Sequence, residues 1–189
     1  TDEKYLTEIK SGATEFTILG IPSDEFPEIP VVQEEQSISL PQHLLKSMID
    51  QTLFAISTND SKPVHTGSLF QLEDGELRVV SVDGFRLALR REKVSAEGSD
   101  QFIIPGKTLS EMNKLLSDEE DEETRLYLSR KHVVVQIGQY KVISRLLEGE
   151  FLDYKAAIPA GSNSTVTVDV RPLIDSIERT SLLISDRLK

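Results

Sequence analysis

The chain has 189 residues, 38% of them hydrophobic, and sets 21 Lys and Arg against 32 Asp and Glu for a formal charge of −11. This length makes one or two domains that can bury a core unaided, and the absence of cysteine excludes disulfides, thiolate metal sites and a cysteine nucleophile while suiting a reducing compartment. No apolar run approaches the ~18 residues of a membrane helix, TDEKYLTEIK lacks a signal-peptide pattern, and the acidic balance argues against coating nucleic acid with the whole surface but allows a local basic face.

In chain order, Tyr5, Leu6 and Ile9, then Ser11-Gly12, then Phe16, Ile18 and Leu19 predict two strands around a turn. Gly20 opens an irregular acidic stretch through Phe26 to about Gln33, whose prolines 22, 27 and 30 keep it out of helix and sheet. Ser37–Leu40 alternates as a short strand, and Pro41 opens a helix expected over Gln42–Ser57 with Leu44, Leu45, Met48, Ile49, Leu53 and Ile56 inward. Asp74-Gly75 between apolar runs 69–73 and 76–80 is a hairpin signal. Asp83-Gly84 leads into an expected strand Phe85–Leu89, Phe102–Pro105 forms another, and a second helix is expected over Lys107–Leu116. The acidic run 118–123 reads as a solvated turn, because no glycine sits where a calcium loop bends. Strands 124–129, 132–137 and 140–146 then form a meander. Thr165–Val168 is expected as a short strand before a helical pattern of Leu173, Ile174, Ile177, Leu183 and Ile184.

The chain also repeats itself. Glu25-Phe26-Pro27-Glu28-Ile29-Pro30 is echoed, 125 residues later, by Glu150-Phe151-Leu152-Asp153-Tyr154, running on to Ile158-Pro159. Both follow a strand-turn-strand element and precede a short strand and an amphipathic helix, and the helices end alike at Ala55-Ile56-Ser57 and Leu183-Ile184-Ser185, 128 residues apart. A period this long is a whole domain copied in tandem rather than a solenoid unit. The chain therefore reads as a segment of a longer protein, with one complete unit over 34–159. Two helices covering one face of antiparallel sheets give an α+β arrangement.

With these motifs in place, the sequence resembles the bacterial sliding clamp family, the beta subunit of DNA polymerase III. The resemblance rests on Ser81-Val82-Asp83-Gly84-Phe85-Arg86-Leu87-Ala88 and on Glu148-Gly149-Glu150-Phe151-Leu152-Asp153-Tyr154 with Ile158-Pro159. It implies the DNA-clamp fold, with residues 1–33 closing a first domain, 34–159 forming the middle domain and 160–189 opening a third. It implies a cytoplasmic, nucleoid-associated and non-catalytic subunit without metal or cofactor. Two protomers would ring duplex DNA without reading sequence and tether the polymerase by effective concentration. On the wall-lining helices the cations would be Lys46, Lys107 and Lys114, which without the resemblance read as ordinary solvated surface. A groove for short peptides of polymerase and clamp-loader subunits would use Val82, Gly84, Phe85, Arg86 and Leu87. Against the family pattern, Leu152 stands in place of proline, Ala156 and Ala157 in place of arginine and valine, and His65 in place of an aliphatic residue.

Two other classes compete with this reading. An enzyme lacks support: no serine lies in a nucleophile-elbow turn, His43, His65 and His132 lack metal-ligand spacing, and there is no phosphate-cradling glycine loop. The alternative is an acidic protein-interaction scaffold that never meets DNA, which would lack a coherent positive face on the two helices.

Overall fold

The computed structural model describes residues 4–26, 36–59, 61–96, 98–159, 161 and 163–184. The expected connector therefore lies largely outside the described residues, as does Ser185 of the second helix ending. The chain divides into two compact units, Thr1–Phe151 and Leu152–Lys189.

The first unit opens with an antiparallel hairpin of β1 (Leu6–Ser11) and β2 (Thr14–Leu19). Two four-stranded antiparallel sheets follow. One has the order β10 (Tyr140–Arg145), β9 (His132–Ile137), β8 (Glu123–Leu128), β3 (Gln36–Pro41). The other has the order β6 (Leu87–Lys93), β5 (Glu76–Val82), β4 (Gly67–Glu73), β7 (Asp100–Pro105). Helices α1 (Gln42–Asp50) and α2 (Gly106–Leu115) pack on each other and join both sheets in one core. That core takes Leu45, Met48 and Ile49 from α1, and Leu109 and Met112 from α2, all with no exposed surface. Phe70 and Phe102, paired across β4 and β7, stack at 5.5 Å between ring centroids.

Local chemistry explains the elements. Asp74 and Gly75 take φ of 52° and 74°, the left-handed pair that a two-residue hairpin turn requires. Glu73 and Glu76 face each other across that turn, and Arg78 meets both carboxylates at 2.6 Å. The buried Gln42 side chain donates to the Glu123 carbonyl (3.1 Å) and accepts from the Ser117 N–H (3.0 Å), pinning the start of α1 to the acidic turn.

Three expectations are corrected. The first helix stops at Asp50 rather than Ser57, because Thr52 leaves helical geometry (φ −127°, ψ −36°) and its hydroxyl donates back to the Met48 carbonyl at 2.7 Å. A 3-10 turn, Leu53–Ala55, replaces the remainder. The strand after Asp83-Gly84 begins at Leu87, so Phe85 and Arg86 lie in the connecting loop. Thr165–Val168 forms no strand and pairs with none among the described residues, and Val166 is 80% exposed.

The second unit contains α3 (Tyr154–Ala157) and α4 (Val170–Ser181). Leu173, Ile174 and Ile177 of α4 are each at least 40% exposed. Leu6 and His132, which begin β1 and β9, and Leu19 and Arg145, which end β2 and β10, stand 126 residues apart. The starts of α1 and α4 stand 128 apart.

Candidate functional site

Strands β5 and β6 pair as far as Val82 and Leu87, and four residues, Asp83 to Arg86, join them. The Asp83 carboxylate organises this loop. One oxygen accepts from the Phe85 N–H (3.1 Å) and the Arg86 N–H (3.2 Å), and the other from Arg86 Nε (2.9 Å). The backbone N–H of Phe85, with that of Arg86 and its guanidinium, holds the Asp83 carboxyl below the usual carboxylate range against a smaller opposing effect of burial. Gly84 supplies the φ of +91° that the loop needs.

The loop presents its side chains outward. Phe85 is 99% exposed, an extreme for a phenyl ring. Arg86 is more than half exposed and sits over the ring of Phe54, 5.8 Å from its centroid. Val82 is almost fully buried and Leu87 partly buried, so Leu87 supplies more of any accessible apolar floor than Val82 does. Behind the loop, Ser68 and Ser81 share a fully buried hydroxyl–hydroxyl bond of 2.7 Å.

His65 lies on a 3-10 turn, Pro63–Thr66, two residues before β4 begins. It is partly buried and meets Phe151 edge-to-face at 5.4 Å. Burial first, then the Lys62 charge, hold its pKa below 6.5, which favours the neutral imidazole. The other expected groove residues, Leu152, Ala156 and Ala157, belong to the second unit and are exposed.

The structure thus brings Val82, Gly84, Phe85, Arg86 and Leu87 together around one locked loop. Sequence reasoning missed Phe54. The available signal was an aromatic residue off the apolar stripe of a predicted helix, with Leu53 and Ala55 turned inward on either side.

The helix face differs from its expected character. Lys46 pairs with Asp118 at 2.6 Å and Lys114 with Glu111 at 2.8 Å. Lys107 is exposed and has no ion partner among the described residues. Among those residues, no three His, Cys, Asp or Glu side chains converge as a metal site, and no helix is long and apolar enough to cross a membrane.

Two helices backing two four-stranded antiparallel sheets, with a hydrogen-bonded loop that exposes Phe85, define an α+β fold. Residues 39–153 match the family described as DNA polymerase III beta subunit, central domain. The beta sliding clamp of Bacillus subtilis (strain 168) is 36% identical over 182 residues, 95% of this chain and 48% of that protein. The crystal structure of the DNA polymerase sliding clamp from Bacillus subtilis superposes with a TM-score of 0.89 at 35% identity, covering 98% of this chain and 49% of that one. The DNA polymerase III subunit beta from Pseudomonas aeruginosa gives 0.86 at 29% identity, covering 98% and 51%. The chain belongs to the beta sliding clamp family of DNA polymerase III beta subunits. It spans about half the length of the relatives it matches.

Proposed function

We propose that this chain supplies the central part of a ring-forming, non-catalytic sliding clamp in the cytoplasm. Residues 1–33 close a first clamp domain, 34–159 form the middle one and 160–189 open a third. Two copies of the complete protein encircle duplex DNA without reading sequence, and polymerase and clamp-loader subunits dock by short apolar peptides. The ring keeps a released polymerase near the primer end, so that rebinding outpaces escape.

The observation that carries this reading is the locked Asp83–Leu87 loop in a chain of this family. It offers an exposed Phe85 ring, the partly exposed Leu87 and the Arg86 guanidinium at one place. Aromatic and arginine side chains of this kind dominate binding energies at protein interfaces. His65, in the same unit, is proposed as a further residue of this groove.

The test is fluorescence anisotropy of a labelled apolar peptide taken from a replicative polymerase. The wild-type chain binds it, and Arg86→Ala combined with Leu87→Asp abolishes binding with far-UV circular dichroism unchanged. Undiminished binding by the double variant refutes the site. In a primer-extension assay driven by an intact beta clamp, excess wild-type chain competes for the polymerase and shortens products, whereas the double variant does not.

One observation favours the second reading, an acidic interaction scaffold that never contacts DNA: carboxylates already hold Lys46 and Lys114. DNA association separates the two. A clamp segment binds duplex weakly, loses that binding with salt and ignores sequence, and a scaffold does not bind duplex at any salt concentration.

A further inference from the structure

Phe54 is a large apolar side chain left 60% exposed on a 3-10 turn whose neighbour Ala55 is fully buried. The back-bond from the Thr52 hydroxyl to Met48 fixes where that turn departs from α1. The ring lies under the Arg86 guanidinium at 5.8 Å, inside the ~6 Å range of a cation–π contact. The same guanidinium gives its Nε–H to Asp83 at 2.9 Å. The Nε edge is therefore occupied from within the protein, and the Phe54 ring lies against the guanidinium. The terminal Nη1 and Nη2 groups make no hydrogen bond among the described residues and remain available to an oxygen acceptor.

An unrestrained arginine carries about 2 kcal/mol of rotamer entropy, and immobilising such a side chain on binding weakens affinity. Two contacts in the free protein, with Asp83 and with Phe54, act against that freedom before any ligand arrives. Phe54 and Asp83 contact Arg86 from different elements, so neither duplicates the other: Asp83 accepts from Nε–H, and Phe54 packs its ring against the guanidinium.

We infer that Phe54 is a positioning residue of the docking loop, holding the Arg86 fork edge-out toward a carbonyl or carboxylate oxygen of an incoming apolar peptide. This rests on the peptide-docking reading of the loop. It adds a residue from a different element, whose contribution passes through Arg86 rather than through contact with the ligand.

The experiment uses the 189-residue chain with Phe54→Leu, Phe54→Trp, Arg86→Ala, and Phe54→Leu combined with Arg86→Ala, each checked for unchanged thermal unfolding. Two readouts are taken: nitrogen-15 relaxation of the Arg86 Nε–H group in the free protein, and anisotropy with the labelled polymerase-derived peptide. Phe54→Leu keeps an apolar side chain but loses the ring face, so it mobilises Arg86 Nε–H and weakens peptide binding roughly 2- to 10-fold. Phe54→Trp, the stronger cation–π partner, keeps both properties. In the Arg86→Ala background, Phe54→Leu has no further effect on affinity. An unchanged Nε–H order in Phe54→Leu overturns the inference, and so does an equal loss of affinity with and without Arg86. Should the wild type bind no peptide, the docking reading fails on its own, and the relaxation data still decide whether Phe54 orders Arg86.

Discussion

Ser68 and Ser81 offer a double-mutant cycle beside the Asp83–Arg86 loop. Both side chains are fully buried, their hydroxyls lie 2.7 Å apart, and neither makes another side-chain hydrogen bond among the described residues. Replacing one serine by alanine strands the other hydroxyl away from water, at a cost of about 1–3 kcal/mol. Replacing both removes both polar groups, so only their mutual bond and a little packing are lost, and the double variant stays within about 1 kcal/mol of wild type. Ser68→Ala and Ser81→Ala each lower the melting temperature by roughly 2–12 °C, taking 2–4 °C per kcal/mol for a chain of this size. The double variant is more stable than either single one. The chain has no tryptophan, so urea unfolding is followed by far-UV circular dichroism, with the urea slope unchanged across the set. Additive single effects, or single effects below about 0.3 kcal/mol, refute the assignment of a mutually satisfied buried pair. Peptide affinity in the double variant matches wild type, because the loop's own bonds from Asp83 are untouched.

A Cβ added at Gly67 meets the Ile104 carbonyl oxygen at 2.3 Å across the β4–β7 pair, and a backbone atom in a ladder cannot step aside. Gly67→Ala therefore destabilises by about 1–3 kcal/mol or more in urea unfolding, against little effect for Gln101→Ala on the exposed part of β7. His65 has its folded-state pKa lowered by burial and by Lys62, so well above pH ~6.5 it is neutral in both states. Below that value the unfolded chain takes up the proton first, and stability falls with pH until the folded imidazole also protonates. The drop in melting temperature between pH 7.5 and 5.5 is smaller in His65→Leu, and an identical drop refutes the sign. For duplex DNA at low salt, Lys107→Gln weakens binding by the chain more than Lys46→Gln or Lys114→Gln, since the last two remove cations already matched by carboxylates. Equal losses from all three variants contradict the pairing seen here.

The legible parts of this fold are those set by local pattern. Asp74-Gly75 between alternating runs predicts its hairpin because the turn geometry needs φ > 0 at both residues and these types tolerate it. Strand β9 matches its expected bounds because it is a compact β-branched run ended by Gly138. What sequence obscured depended on side chains reaching out of pattern. Alternation continues through Phe85-Arg86-Leu87, so periodicity extends the strand over a loop that the Asp83 carboxylate actually builds. The apolar stripe of α1 continues past the point where the Thr52 hydroxyl diverts the chain. Glu111 and Lys114 were readable as an i,i+3 pair, whereas Lys46 and Asp118 stand 72 positions apart and meet only through the fold. Thr165–Val168 has strand composition, but a strand exists only beside another strand. At the docking loop the motif located Arg86, yet the residue beneath it came from another element.

Under the proposed function, the sparse charge of the helix face has a mechanical reason. A protein that stays on DNA through contacts alone needs many phosphate partners, and its residence then falls steeply with salt. A closed ring departs only by opening, so residence no longer measures contact strength. Contacts inside such a ring need only be weak and indifferent to sequence, because each strong one is a barrier to the next step along the duplex. An acidic chain of charge −11 that matches Lys46 and Lys114 with carboxylates and leaves Lys107 exposed meets that requirement. On the same proposal the opposite logic governs the Asp83–Leu87 loop, where a partner would have to be held by contacts and nothing else. There the chain spends exposed aromatic surface and restrains its arginine from two sides. On the proposed function the two surfaces differ as the two tasks would: loose where enclosure does the holding, ordered where binding does.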